Sequence, residues 1–419
     1  MRFKEFARSG HAPTLVSAFL YFDVSFMVWV MLGPLGTFIG DELKLSATQK
    51  GLMTAYPVLS GAILRLVLGA LADRIGAKKT ALLGLSLTAG PLLLGWLYAG
   101  TFAQIILVGL LLGIAGASFA VALPLASRWY PPEQQGLVLG IAGAGNSGTV
   151  LSALFAPRLA QALGWHAVFG LTLIPVAVVW LIVALAAKDA PNAPRTSPWS
   201  GYAAVLTEID TLWFALMYSI TFGGFVGLST FLPIFFRDQY GLSRVAAGNF
   251  AALCVFAGSF VRPLGGHLAD RLGGTRVLMA IYALIGLLAI SAGLMLPLGL
   301  ETVLLFVMMA VLGSGNGAVF QLVPLRYRRQ VGVITGIVGA AGGLGGFVLP
   351  TALGTLKDRT GTYGGGFLVF GAAATACLLL MLAVRQGWQR TWAGREAWAP
   401  QAGDAGHGQM AQTLRSGGA

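Results

Sequence analysis

The sequence predicts an all-α polytopic membrane protein with twelve transmembrane helices in two pseudo-symmetric six-helix halves. Three observations predict it. Hydrophobic residues fill 56% of 419 positions and charged residues only 10%, with a mean hydropathy of +0.78, whereas an ordinary soluble domain carries about 25% charged residues. Twelve apolar runs, divided by short polar stretches, each approach the ~20 residues that a bilayer demands of a helix. Finally, Arg65, Gly69, Asp73, Arg74 and Gly76 return as Arg262, Gly266, Asp270, Arg271 and Gly273, each 197 positions later. The runs are continuously apolar rather than alternating, which excludes a β-barrel. The 59 glycines suit close helix packing in lipid.

Taken in order, residues 1–14 form a polar segment with Arg2, Lys4, Arg8 and His11 and no small-residue cleavage site, so it is not a signal peptide. Helices follow at 15–38, 48–72, 80–99, 103–126, 136–157 and 166–187, completing a bundle over 15–187. Residues 188–210, with prolines at 191, 194 and 198, have the length and composition of an interdomain linker. The second bundle, 211–384, repeats the pattern at 211–236, 245–268, 276–298, 302–324, 331–352 and 364–384. From Arg385 to Ala419 the chain is polar and Gly-rich and is expected to be a disordered tail. Cys254 and Cys377 lie within apolar runs and are read as core residues.

Basic residues are retained on the cytoplasmic side. With the N-terminus inside, 18 Lys and Arg fall on the inner side, 7 on the outer side and 2 in the membrane. Both termini and the linker are therefore expected in the cytoplasm, in a multi-pass protein of the cytoplasmic membrane. The net charge of +12 then belongs to loops facing anionic lipid, not to nucleic acid.

Arg65 and Arg262 each precede a boundary Asp by eight residues. At 1.5 Å per residue this puts them about 12 Å inside a core roughly 30 Å thick. A charge there costs about 2.5 to 3.5 kcal/mol even on a lenient scale. In a two-half arrangement the substrate site lies at the midplane between repeats, so the two guanidinium groups approach one point. Of the fifteen acidic residues only Asp23 is expected within a helix span. No pair of buried carboxylates balances the arginines, and a bridging anion supplies the missing charge. Helix carbonyls or snorkelling are the alternative. A guanidinium fork matches a planar oxyanion, which fits nitrate, nitrite, formate or another small carboxylate.

The duplicated Gly-x-x-x-Asp-Arg-x-Gly motif after the second helix of each half resembles the major facilitator superfamily. In that frame Gly69 and Gly266 permit tight helix contact, while Asp73, Arg74, Asp270 and Arg271 act in a gate that holds one conformation closed. Further stretches look like the nitrate/nitrite porter family: Phe26-Met-Val-Trp29 with Gly33-Pro34-Leu35-Gly36, Gly143-Ala-Gly145-Asn146-Ser-Gly148, and Gly339-Ala-Ala-Gly342-Gly343-Leu-Gly345-Gly346-Phe347. The resemblance implies a nitrate carrier in which Arg65 and Arg262 ligate the anion and Phe119 and Phe222 sandwich its plane. It places Tyr218 near Arg262, makes Asn146 an amide donor to the anion, and implies a monomer. Tyr218 and Phe222 are four apart and share a helix face.

Asp23 is a proton-relay candidate because intramembrane acids often are. Nitrate import with protons is the favoured reading, with nitrate/nitrite exchange or a formate-type carrier as alternatives. His166 and His267 are read as interfacial residues at helix ends. Without a Cys/His cluster, a His-Glu motif or a phosphate loop, an enzyme is not expected, and neither a cofactor nor a metal is called for.

Overall fold

In the computed structural model, residues 9–131, 134–191, 205–327 and 331–392 are described. Among the described residues, twelve helices are long and apolar enough to cross a membrane. They are α1 Ala12–Glu42, α2 Ala47–Ile75, α3 Ala77–Leu97, α4 Phe102–Ser127, α5 Val138–Leu163 and α6 Trp165–Ala186 in the first half. The second half holds α7 Ile209–Tyr240, α8 Arg244–Leu272, α9 Gly274–Ala292, α10 Leu298–Val323, α11 Val333–Thr360 and α12 Gly364–Thr391. Leu298–Arg326 and Val331–Thr360 are the full helical extents around α10 and α11.

Several helices outrun the apolar stretch that announces them. Hydropathy marks where the bilayer ends, but a helix continues until its backbone is broken. The breakers are glycines at positive φ: Gly76 (97°) after α2, Gly241 (64°) after α7, Gly273 (89°) after α8 and Gly361 (78°) after α11. Only glycine takes that conformation without strain. Gly76 and Gly273 close the two copies of the duplicated motif, so its last glycine is a helix stop. Asp41, Glu42, Asp238 and Asp358, expected beyond the helices, consequently lie within helical ends.

The tail expected from Arg385 is corrected in its first part, because α12 continues to Thr391. Trp388 explains the extension: its indole donates to Asp210 at 2.8 Å and stacks on Phe214 with ring centroids 5.1 Å apart. Residues 393–419, most of the linker (192–204) and residues 1–8 lie outside the described residues. Asp210 and Glu208, expected in the linker, both pair with Arg326 and so belong to the second half.

The halves meet along α2 and α11, α5 and α8, and α1 and α7. Glycine permits the contacts. A Cβ on Gly51 would lie 2.4 Å from the Pro350 carbonyl oxygen, one on Gly354 2.2 Å from that of Ala47, and one on Gly248 2.6 Å from that of Ala153.

The two ends of the bundle are unlike. On the face carrying Asp41, polar contacts cross between halves. Asp41 of α1 accepts from Arg237 and Arg244 at 3.3 and 2.7 Å. Lys50 of α2 pairs with Asp238 of α7 at 2.8 Å, and Tyr363 donates to the same carboxylate. Asp358 of α11 accepts from the Ala47 and Thr48 amides at 3.0 and 2.8 Å, a carboxylate placed at the positive end of α2. On the opposite, motif-bearing face, the ion pairs stay within one half: Arg128 with Asp73, and Arg326 with Glu208 and Asp210. The Asp41 face is closed and the motif face open.

Asp41→Asn weakens two half-exposed pairs worth about 0.2 to 1 kcal/mol each. The expected outcome is a shift of roughly two- to fivefold toward the conformer open on the Asp41 face. Faster alkylation of a cysteine introduced beneath that face reads the shift, and an unchanged rate refutes it.

Candidate functional site

Between the halves the open face leads into a cavity of about 850 Å³ whose lining includes Arg65, Arg262, Phe119, Phe320 and His267. Asp73 and Asp270 stand at its mouth. Both membrane arginines therefore reach one space, one from each half.

Arg65 is 1% exposed. Its Nε donates to the Gly116 carbonyl of α4 at 3.1 Å, and Nη1 donates to the Gly339 carbonyl of α11 at 2.8 Å. The second bond crosses between halves. The helix-carbonyl alternative is thus realised for part of the guanidinium only, since Nη2 is buried with no hydrogen-bond partner. A guanidinium has five donors, and the unpartnered nitrogen is the one available to a ligand. Aromatic faces surround the charge: its Cζ lies 4.9 Å from the Phe222 ring centroid, 5.2 Å from Trp29 and 5.5 Å from Phe119. Such faces attract a cation without neutralising it.

Arg262, on α8 just before Pro263, likewise keeps a buried Nη1 without a partner. It sits 5.6 Å from the Phe119 centroid and 5.9 Å from that of Phe320. Phe119 therefore contacts both guanidinium groups and bridges the halves. Tyr218 is within electrostatic reach of both arginines and hydrogen-bonding reach of Arg262. Its ring stacks on Phe222 with centroids 5.0 Å apart and planes 6° apart. Among the described residues, no carboxylate forms an ion pair with either arginine.

The glycine signatures build the walls. A Cβ on Gly342 would fall 2.6 Å from the Tyr218 ring and 2.9 Å from that of Phe222, so its bareness makes room for the aromatic pair. A Cβ on Gly343 would fall 2.5 Å from that of Ala62, one on Gly345 2.1 Å from the Ser219 carbonyl oxygen, and one on Gly346 2.8 Å from the Val58 side chain. Gly145 and Gly148 press on Phe22 and the Asp23 backbone of α1, while Gly143 opens into the cavity. Between them, residues 144–147 of α5 form a 3₁₀ turn that carries Asn146. Asn146 is 1% exposed, and its Oδ1 has no partner.

Other expected residues fall elsewhere than anticipated. Gly69 and Gly266 are not at a tight approach, since a Cβ would stand 3.6 Å from that of Ala120 and 3.8 Å from the Gly317 carbonyl oxygen; the close approach is at Gly265, where a Cβ would stand 2.0 Å from the Ser314 carbonyl oxygen. Arg74 and Arg271 lie in the last turns of α2 and α8, the positions that complement a helix C-terminus. His267 is corrected from interfacial to cavity-lining, since α8 continues past it. His166 does sit at a helix start, stacked on Trp165 with Nε2 2.6 Å from the Ala99 carbonyl oxygen. Asp23 is 6% exposed, accepts from Ser147 Oγ, and is not part of the cavity lining. Glu301, read as a helix-end residue, is fully buried, with Oε2 accepting from the Leu296 amide.

Sequence reasoning passed over Phe320 and quoted Trp29 and Gly339 only as parts of motifs, without a role at the site. Trp29 donates to the Pro57 carbonyl at 2.7 Å and lies against Gly61 and Gly116, whose Cβ would stand 2.3 Å from the indole. It thereby holds the Gly116 carbonyl beneath Arg65. Gly339 supplies the cross-half acceptor. Phe320 faces Arg262 and meets Tyr218 edge-on at 4.8 Å. The Pro-Leu pair repeated at 124–125 and 324–325 could have found it, since Phe119 and Phe320 stand five and four residues before their prolines.

This arrangement of two six-helix halves around a central cavity is the fold of a known class. The Major Facilitator Superfamily model matches residues 17–350. A bacterial homolog of the human lysosomal transporter Spinster, solved in an inward-facing and unoccupied conformation, superposes with a TM-score of 0.67 at 19% identity over 93% of this chain and 99% of that one. Among curated relatives, a probable nitrate/nitrite transporter NarK2 of Mycobacterium tuberculosis is 37% identical over 90% of this chain and 98% of its own. A nitrite extrusion protein of Bacillus subtilis is 36% identical over 85% and 90%, and a probable nitrate/nitrite antiporter NarK1 of Thermus thermophilus 33% over 87% and 90%. The chain belongs to the major facilitator superfamily of membrane transporters and, within it, to the nitrate/nitrite porter family.

Phe320→Ala removes a ring beside Arg262 and is expected to raise the KM of transport about five- to tenfold while the protein still inserts, as the loss of one aromatic–cation contact of ~1 kcal/mol or more implies. An unchanged KM in an uptake assay removes Phe320 from the site. Gly345→Ala is expected to abolish transport or assembly, because the new Cβ meets the backbone of α7 rather than a movable side chain.

Proposed function

We propose that the protein carries nitrate, and nitrite as a second substrate, across the cytoplasmic membrane by alternating access, with the anion clamped between Arg65 and Arg262. The observation that carries this reading is the pair of guanidinium groups, one per half, each with a buried, unpartnered Nη and both packed on Phe119. A planar anion accepts from both forks at once. It relieves their mutual repulsion, and the energy gained depends on the halves being close. That dependence is the differential binding that shifts a carrier toward its occluded state. Asn146 contributes an amide, and Tyr218, Phe119 and Phe222 confine the anion's plane.

With both termini cytoplasmic, the open motif face is the inner one and this conformer faces inward. Closing it brings the motif-bearing ends of α2 and α8 toward the opposite half and releases the Asp41, Lys50 and Asp358 contacts on the other face. The gate motif then serves the closed state of the inner face, with Asp73, Asp270, Arg74 and Arg271 at the helix ends that must meet. We take the working unit as a monomer, since the anion site is completed by the two halves of one chain.

Coupling follows one of two readings. Import with protons assigns a titrating role to Asp23. Exchange of nitrate for nitrite needs no titrating group, and the position of Asp23 outside the cavity lining favours it. A carrier of formate or another small carboxylate could use the same arginines.

Labelled-nitrate uptake into proteoliposomes, with and without an inward proton gradient and with nitrite inside or absent, tests the proposal. Stimulation by the gradient alone indicates symport, and stimulation by internal nitrite alone indicates exchange. No nitrate movement under any condition refutes the substrate. Arg65→Lys and Arg262→Lys retain charge but lose the fork, and each is expected to lower uptake at least tenfold, as a charge-assisted hydrogen bond of about 1.5 to 3 kcal/mol implies. Undiminished uptake in either variant refutes the two-arginine clamp.

A further inference from the structure

We infer that Asp23 is a positioning residue for the anion site: it fastens the 3₁₀ turn of α5 that presents Asn146, acting as a fixed hydrogen-bond acceptor rather than as a carrier of protons. The inference rests on the reading of Asn146 as an anion ligand and deepens it.

The α5 backbone is not a plain helix where it passes the site. Residues 144–147 are wound as a 3₁₀ turn, with the α-helix resuming at Gly148. A tightened stretch inside a long helix has poorer hydrogen-bond geometry than the α-form and needs an outside hold. Two adjacent residues of α1 supply it. Asp23 accepts from Ser147 Oγ and lies within hydrogen-bonding reach of the Gly148 amide, the two donors immediately after Asn146. Phe22 fills the place where a Gly145 side chain would be, with a Cβ there falling 2.5 Å from its ring. Asn146 is thus bracketed on both sides by contacts to one short piece of α1.

The fit leaves little freedom. A Cβ on Gly148 would lie 1.8 Å from the Asp23 carbonyl oxygen, so the backbones of α1 and α5 touch at this level. The same piece of α1 is joined to the anion site, since the Phe22 ring meets Phe119 at 5.6 Å and Phe119 meets both arginines. Asn146 Oδ1 has no partner within the protein, so the orientation of its amide is set by its backbone and not by its own bonds.

A proton relay has different requirements. A relay must exchange its proton with water in at least one conformer, whereas an anchor need not; Asp23 is 6% exposed and, like Asn146, does not line the cavity that is open here. The groups facing it are the Ser147 hydroxyl and the Gly148 amide, both of which act as donors. Among the described residues it forms no ion pair. An amide in its place can still accept from the Gly148 N–H and donate to Ser147 Oγ, so the hold does not require a titrating group.

The test is calorimetric titration of the purified full-length protein with nitrate, which is independent of the coupling mode, together with labelled-nitrate uptake. Asp23→Ala and Ser147→Ala are each expected to weaken nitrate binding about tenfold, and Asp23→Asn to restore it to within about twofold of the unaltered protein. Because Asp23 acts through Asn146, the double variant Asp23→Ala/Asn146→Ala binds no more weakly than Asn146→Ala alone. Uptake by Asp23→Asn keeps the same ratio with and without an imposed proton gradient as the unaltered protein.

Additive losses in the double variant overturn the inference, as does a loss of the gradient ratio in Asp23→Asn with nitrate affinity intact, which identifies a relay. Weakened binding in Asn146→Ala with none in Asp23→Ala or Ser147→Ala overturns the inference alone. Undiminished binding in Asn146→Ala overturns the ligand reading as well. Ser147→Ala leaves the carboxylate in place, so it answers the question even where Asp23→Ala fails to assemble.

Discussion

Two positive charges held at the seam between two bundles constrain everything else in this protein. Arg65 is stripped of water and only partly repaid, by carbonyls of α4 and α11 and by three aromatic faces. A buried charge without a full complement of partners is a standing cost, and Arg65 carries it at the edge of the cavity, with Nη2 unpartnered in the protein. Arg262 meets the same cavity from the other half with still fewer fixed contacts. The asymmetry is informative: Arg65 is anchored across the seam, whereas the contacts of Arg262 are an aromatic shelf and Tyr218. One arginine is part of the frame, and the other stands ready at the entrance.

Glycine makes that seam possible. Without a strong hydrophobic drive between helices in lipid, association depends on close packing, and close packing depends on small residues. At Gly51, Gly343, Gly346 and Gly354 the α2–α11 contact leaves no room for a side chain. At Gly342 the space vacated is used by Tyr218 and Phe222. The signature on α11 is therefore two devices in one stretch, a sliding surface for the partner half and a socket for the aromatic wall. Gly143 does neither in this conformer, because its open side faces the cavity.

The unequal ends of the molecule express the same logic at longer range. On the Asp41 face, carboxylates of each half are satisfied by cations or amides of the other, so closure there is a set of many modest bonds. On the motif face the ion pairs Arg128–Asp73 and Arg326 with Glu208 and Asp210 each stay within one half. A carrier built this way changes state by exchanging one set of weak contacts for another, and the ligand need contribute only a small difference between them.

The sequence by itself determined the twelve spans, the internal duplication and the two arginines that had no carboxylate to meet them, because each is written in local composition or exact spacing. It also marked Tyr218 and Phe222 as one wall, since four residues of helix fix a shared face. It misjudged where helices stop, because hydropathy reports the solvent and not the backbone; Trp388 and the positive-φ glycines decide those ends. Tertiary structure alone decided that Arg65 binds the Gly339 carbonyl 274 residues away, that Phe119 lies against both arginines, that His267 lines the cavity and that Asp23 accepts from Ser147 of α5. Those facts depend on the relative placement of helices distant in sequence, which no single helical period encodes, and on which face of the carrier is open.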